Sequence, residues 1–282
     1  MFGQSRQKYY RSFWRASRQQ SQSIAVINKV NEVRSSMPRL GTRKLYYILH
    51  EEPCLKNVGR DKLFSILKAN HMLIKPKRNY RITTDSHHRF KKHKNLVEGM
   101  QLNRPEQVWV SDITYIGGRK RNCYLALVTD AYSKKIMGHD VSDSLSTEGS
   151  LRALKMALGK RLYDKKLIHH SDRGFQYCSS DYQNALQGKR ITPSMTESYD
   201  PYANAIAERV NGILKQEFLL EEYQVDIDTM RSLVKEAVLI YNTKRPHWSC
   251  HMKTPEQMHK QESVKIRTYK KPERNKASLV SL

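Results

Sequence analysis

Apolar residues recur at helical spacing between Ser21 and His71: Val26, Ile27, Val30 and Val33, then Leu45, Ile48 and Leu49, then Leu63, Ile66 and Leu67. The pattern predicts three short helices. Pro38 and Gly41 punctuate the first gap and Pro53 and Gly59 the second, so residues 21–74 read as a compact helix-turn-helix-like unit. From Lys75 to Arg104 the periodicity lapses while cations accumulate, which predicts a basic linker over 75–104. After Pro105 the pattern turns strand-like. Gln107 to Gly117, Arg121 to Tyr132 and Lys135 to Val141 are β-rich runs separated by Gly117-Gly118 and Ser133-Lys134. A helix is expected over Thr147 to Arg161, a strand over Leu167 to Ser171, a helix over Asp181 to Lys189 and a short strand over Ile191 to Met195. Two longer helices follow, over Ala203 to Leu220 and Asp226 to Tyr241.

A three-strand meander followed by alternating helix and strand predicts an α/β fold over 105–260. It is a mixed five-stranded sheet flanked by helices, in the order of the ribonuclease H-like architecture, preceded by the small helical unit. Composition narrows the function. No uncharged apolar run approaches the ~18 to 20 residues of a membrane helix. Met1 to Arg18 mixes cations, Gln and aromatics without an apolar signal core, so the chain is expected in the cytoplasm. Cys54, Cys123, Cys178 and Cys250 lie far apart and read as reduced thiols. The formal charge of +24 divides into +17 over residues 1–104 and +7 over 105–282, which makes the amino-terminal third the polyanion-seeking part. Residues 1–20 are read as a basic arm, residues 261–282 as a basic tail, and the helical unit as a DNA-docking module.

Three carboxylates carry the candidate chemistry. Asp112 alternates with Val108, Val110, Thr114 and Ile116 on one face of a strand, where an unpaired charge is costly and a cation is one answer; an edge-strand Asp facing solvent is the other reading. Asp172 ends the strand His169-His170-Ser171-Asp172 just before Gly174, where α/β sheets place ligand groups, although Asp before Gly also makes an ordinary turn. Glu208 falls with Asn204, Asn211, Gly212 and Lys215 on the polar side of a helix whose other side holds Ile206, Val210, Ile213 and Leu214. Taken singly that stripe is a solvated face. Together, two strand aspartates and a helix glutamate can converge and hold two divalent ions, the arrangement used for in-line phosphoryl transfer.

The residues then resemble a known family. Asp172 and Glu208 are separated by 35 residues, as in the D-D-E integrases and transposases. Trp109-x-x-Asp112-Ile-Thr-Tyr-Ile, His170-Ser171-Asp172-x-Gly174-x-Gln176-Tyr177, Asn204-Ala-x-Ala-Glu208, Tyr241-Asn242 with Arg245-Pro246-His247, and Thr254-Pro255 are similar to the OrfB transposases of the insertion-sequence-three family. The resemblance runs from about Pro38 to Met258. It implies a retroviral-integrase-like catalytic core, two Mg²⁺ or Mn²⁺ ions on Asp112, Asp172 and Glu208, and cutting and joining of DNA at the ends of a bacterial insertion sequence. It further implies that Lys215 touches the phosphate beside the scissile bond, that Gln176, Tyr177, Arg245 and His247 are DNA contacts, and that Asp130 is structural. The implied partners are element ends and target DNA, further copies of the chain in a multimer, and the upstream-frame OrfA protein or a fusion to it. The family's leucine-zipper heptads and the zinc module of retroviral integrases are absent from this sequence. A DNA-binding protein that has lost activity, and a ribonuclease H-like nuclease that never joins strands, are the competing expectations.

Overall fold

A computed structural model describes residues 6–75, 93–118, 123–196 and 205–261. Most of the expected linker, at 76–92, and the tail beyond 261 lie outside the described residues.

The chain opens with helix α1 (Arg6–Ser36), followed by α2 (Thr42–Leu49), a 3₁₀ turn (Pro53–Leu55) and α3 (Arg60–Ala69). The helical unit is therefore present, but its first helix is not short. It takes in the expected arm, because residues 6–24 contain neither Pro nor Gly and are rich in Arg, Gln and Lys, which favour helix without an apolar stripe. Periodicity finds only buried helix, and Val26 and Val30 are the two buried positions of α1.

The sheet holds β1 (Val108–Ile116), β2 (Cys123–Asp130), β3 (Ile136–Ser142), β4 (Ile168–Ser171) and β5 (Thr192–Met195) in the spatial order β3-β2-β1-β4-β5. β1, β2 and β3 are antiparallel neighbours, while β4 and β5 run parallel to β1. This is the mixed sheet expected from the pattern. Helices α4 (Thr147–Gly159), α5 (Phe175–Cys178) and α6 (Ser180–Gln187) pack on the face that carries Trp109. Gly138 on β3 sets the closeness of α4: a Cβ there would stand 2.0 Å from the Ala153 carbonyl oxygen.

Helices α7 (Ala205–Gln216) and α8 (Ile227–Thr243) cover the other face. Their side chains Val210, Leu214, Val234 and Tyr241 belong to one continuous buried cluster that also includes Ile116 and Leu125 of the sheet and Val30, Leu40, Leu45 and Leu63 of the helical unit. Asp226 caps α8 by accepting from the Asp228 and Thr229 amides at 3.0 and 2.9 Å. A further helix, α9 (Pro255–Lys260), starts at a Thr254/Gln257 capping box.

Asp130 ends β2 as a turn anchor. One carboxylate oxygen accepts from the Glu106 amide at 2.7 Å, the other from the Ser133 amide and hydroxyl at 2.8 and 2.6 Å.

Candidate active site

The site is built on strand register. β1 and β4 are parallel with Ser111 opposite Ser171, so the next residues, Asp112 and Asp172, come side by side as β4 ends. Parallel neighbours lie about 4.8 Å apart, which puts the two carboxylates on one small area. Asp112 is fixed on both oxygens: Oδ1 accepts from the Ile113 amide at 2.9 Å and Oδ2 from the Asn211 side-chain amide at 2.7 Å. Asp172 Oδ1 accepts from the Gly174 amide at 3.1 Å. Gly174 has an ordinary φ of −60°, so conformational freedom is not its contribution. A Cβ there would sit 3.1 Å from Asp172 Oδ1, so the missing side chain leaves clearance beside the carboxylate.

α7 crosses β1 and completes the arrangement. Glu208 is in its first turn, exposed; Asn211, one turn on, is buried against Asp112; Lys215, a turn further, places its ammonium 3.4 Å from the Thr114 hydroxyl. Of the expected polar stripe, Asn211 and Lys215 thus turn toward β1, while Glu208 is exposed. Burial, the charge of Asp172 and the charge of Glu208 push the Asp112 carboxyl up to about 8, against the opposing Asn211 hydrogen bond. Crowded oxygen donors of one sign are the chemistry that hard divalent cations relieve. Among the described residues, Asn211 Oδ1 and the Tyr177 hydroxyl, both buried next to these acids, meet no hydrogen-bond partner, and they offer two neutral oxygens beside the carboxylates. Burial, then Tyr182, Asp172 and Asp112, hold the Tyr177 hydroxyl well above the usual phenol range, so it stays protonated. Among the described residues, no three acidic, His or Cys side chains are gathered tightly enough to enclose a metal. The two aspartates are set by the sheet; Glu208 stands apart in solvent.

The other expected DNA contacts fall elsewhere. Gln176 and Tyr177 are 4% and 2% exposed, and Gln176 donates to the Leu145 carbonyl at 3.0 Å, so both form the floor behind the aspartates and not an outer surface. Arg245 is 1% exposed and forks onto Glu217. His247 is buried and pairs through Nδ1 with the Ser249 hydroxyl at 2.9 Å. Burial, then the cations Arg245 and Lys44, hold His247 neutral, down to about 3. Arg245 therefore ties the end of α8 to the residue that follows α7, and both Arg245 and His247 are turned inward in this structure. Asn211 was legible only as part of a polar stripe; its hydrogen bond to Asp112 required the α7–β1 crossing to be seen.

A mixed sheet with two adjacent aspartates on β1 and β4 and an acid-bearing helix laid across them defines an integrase-core protein. Two family models, both of the integrase core domain, match residues 103–201 and 189–255. The 31 kDa protein of insertion element IS600 from Shigella sonnei is 33% identical over 252 residues, covering 88% of this chain and 92% of that protein. The InsF transposase of insertion sequence IS3A from Escherichia coli is 35% identical over 165 residues, 58% of this chain and 57% of that protein. The transposase of IS904 from Lactococcus lactis is 32% identical over 160 residues, 56% of this chain and 63% of that protein. The chain belongs to the integrase-core transposases related to the OrfB proteins of the insertion-sequence-three family. Among solved structures, the catalytic core of the HTLV-2 integrase in complex with magnesium aligns with a TM-score of 0.44 and 21% identity, covering 55% of this chain and 97% of that one. A simian T-cell lymphotropic virus intasome aligns at 0.48 and 19%, covering 86% and 78%.

Proposed function

We propose that this chain is the transposase of a bacterial insertion sequence, nicking DNA at the element ends and joining the freed 3′-hydroxyl to another phosphodiester, with Asp112, Asp172 and Glu208 as its catalytic carboxylates. What supports the reading is the β1–β4 register that sets Asp112 beside Asp172 under a helix carrying Glu208, Asn211 and Lys215. The three carboxylates would hold two Mg²⁺ or Mn²⁺ ions. When bound, such ions supply Lewis acidity at the attacking hydroxyl and at the leaving 3′ oxygen. The chain's own residues supply placement. Asn211 orients Asp112, Tyr177 and Gln176 close the floor against water, and Lys215 offers a cation to the phosphate next to the scissile bond.

The substrates on this reading are element ends and target DNA, bound by a multimer of the chain, with the upstream-frame OrfA protein as partner or fused to it. No helix among the described residues is long and apolar enough to cross a membrane, and we place the reaction in the cytoplasm, at the nucleoid. The deciding experiment is strand transfer with a pre-cleaved element end in Mg²⁺ or EDTA, comparing the chain with Glu208→Gln. Metal-dependent joined product that is lost in the variant carries the proposal; DNA bound without product, even with OrfA protein added, sinks it.

A further inference from the structure

The carboxylate site draws on β1, β4 and α7, and the amino-terminal half of α1 has no part in it. Every residue from Arg6 to Ser21 is exposed, whereas Val26 and Val30 of the same helix are 0% exposed. At ~1.5 Å per residue the exposed part projects roughly 24 Å from the protein body. A helix that buries nothing has only its intrinsic propensity to hold it, which is marginal in water at this length. Something bound along it would stabilise it.

The helix is two-sided. Lys8, Arg11, Arg15 and Arg18 follow one another at spacings of three, four and three residues, so they form a single ridge. Tyr9, Tyr10 and Phe13, between 48% and 62% exposed, lie on the other side, where Arg6 sits over the Tyr10 ring, and Trp14 lies on the flank between. At ~100° per residue the ridge falls close to the direction of Val26, Val30 and Val33, the side on which α1 meets the rest of the helical unit. The cations therefore run in line with that unit, and the aromatics point away from it.

We infer that the projecting half of α1 is a DNA-binding arm, distinct from the carboxylate site, whose Lys8–Arg11–Arg15–Arg18 ridge lies along the phosphates of a duplex that continues over the helical unit. The inference rests on DNA as the substrate class proposed above. Charge complementarity selects the occupant. No Asp or Glu precedes Glu32, so the segment is cationic throughout. The ridge is roughly 15 Å long, and a duplex presents one phosphate charge per ~1.7 Å of axis, enough for every cation to find one without bending the DNA. A second copy of the same helix would bring cations against cations. The aromatic side gives a protein partner little more, since Ser17, Gln20 and Ser21 interrupt it for two turns before Ile24.

The test is salt-dependent DNA binding by the full chain and by a variant carrying Lys8→Gln, Arg11→Gln, Arg15→Gln and Arg18→Gln, with Phe13→Ala/Trp14→Ala as the comparison. Each phosphate contact adds about 0.9 to the slope of log K against log salt. The four-glutamine variant should lose 3 to 4 from that slope, roughly four contacts' worth, and bind at least about tenfold more weakly at physiological salt. Joining measured in a single turnover at saturating DNA should be unchanged. The aromatic pair should leave the slope alone. A four-glutamine variant with the full slope overturns the inference, and so does an aromatic variant that loses self-association while the four-glutamine variant keeps its slope, because the helix would then dock protein. A chain that binds DNA with the expected slope but never joins ends defeats the transposase reading and leaves the arm standing.

Discussion

Arg245 and Glu217 form a two-pronged ion pair inside the protein, Nε to Oε2 and Nη2 to Oε1, each at 2.8 Å, and Lys44 of the helical unit reaches the same Oε1 at 3.1 Å. The Arg39 amide adds a fourth link, donating to the Glu217 carbonyl at 3.1 Å. Glu217 directly follows α7, so one residue ties that helix to the end of α8 and to the helical unit. Burial pushes its carboxyl up, but the Arg245 hydrogen bonds and charge outweigh this and leave it below the usual range.

Removing one partner strands the other in a site built for a pair. Arg245→Ala or Glu217→Ala is expected to cost roughly 3–5 kcal/mol in urea unfolding, at the scale of a broken buried pair. Arg245→Lys, which keeps the charge and loses the fork, should cost less. An Arg245→Ala protein of unchanged stability but weakened DNA binding would restore Arg245 to the DNA contacts.

Asn211 donates to Asp112 Oδ2 at 2.7 Å and favours the ionised carboxylate, the form that would hold a metal. Asn211→Ala should slow joining by roughly tenfold to a hundredfold, on the order of 1.5–3 kcal/mol for such a bond, with DNA affinity held. Asn211→Asp should be slower still, since it adds a fourth negative charge. Single-turnover rates at saturating DNA distinguish these outcomes, and an Asn211→Ala rate equal to wild type rules out the positioning role.

Divalent ions should stabilise the fold through the same carboxylates. At a concentration 100 times its Kd, Mg²⁺ adds about 2.7 kcal/mol, read as a rise in Tm that EDTA reverses. Asp112→Asn and Asp172→Asn should flatten the response. In EDTA, Asp112→Asn should be at least as stable as wild type, because it removes a carboxyl that burial and the charges of Asp172 and Glu208 make costly to ionise. A Tm that ignores Mg²⁺ in every variant counts against the donor set.

His259 of α9 is buried between two buried acids: Nε2 stands 3.3 Å from Glu106 Oε1 and Nδ1 is 3.7 Å from Asp130 Oδ2, with the Ser133 hydroxyl at 3.0 Å. Arg161 lies 3.8 Å from the other Glu106 oxygen, and Lys135, just before β3, opposes. Burial works against the imidazolium, yet the Asp130 and Glu106 hydrogen bonds prevail and raise His259 above the ordinary imidazole range. A raised folded value contributes stability that is complete below the unfolded pKa and is lost as pH climbs through the folded one. Stability should therefore fall on the alkaline side of the ordinary histidine range, and His259→Gln should remove that step while lowering stability throughout. Denaturation midpoints from pH 6 upward, taken on both proteins, test it; parallel profiles would refute it.

The strands were legible as β-rich runs bounded by turn residues, not as an alternation of burial, since helices cover both faces of the sheet; β1 and β4 lie within a residue of their expected ends. Asp112 and Asp172 could be read as well, since position in a run and a strand end are local features. Arg245, His247, Gln176 and Tyr177 could not. Each is polar in sequence and buried in the fold; Glu217, Ser249 and Leu145, distant in the chain for two of them, hold Arg245, His247 and Gln176, while Tyr177 is held by ring contacts with His169 and Tyr182. The outer half of α1 was illegible for the opposite reason, being a helix with no buried side to mark it.

The continuous cluster that joins Leu40, Leu45 and Leu63 to Val210, Leu214 and Tyr241 limits how modular this protein is. The sheet and its helices cannot be excised at residue 75 without leaving a greasy scar over α7 and α8, and Glu217 would lose Lys44 in the same cut. Exchanging the helical unit for that of a relative thus requires a graft that brings its own matching underside, because α7, which meets that underside, also carries Glu208 and the Asn211 that holds Asp112.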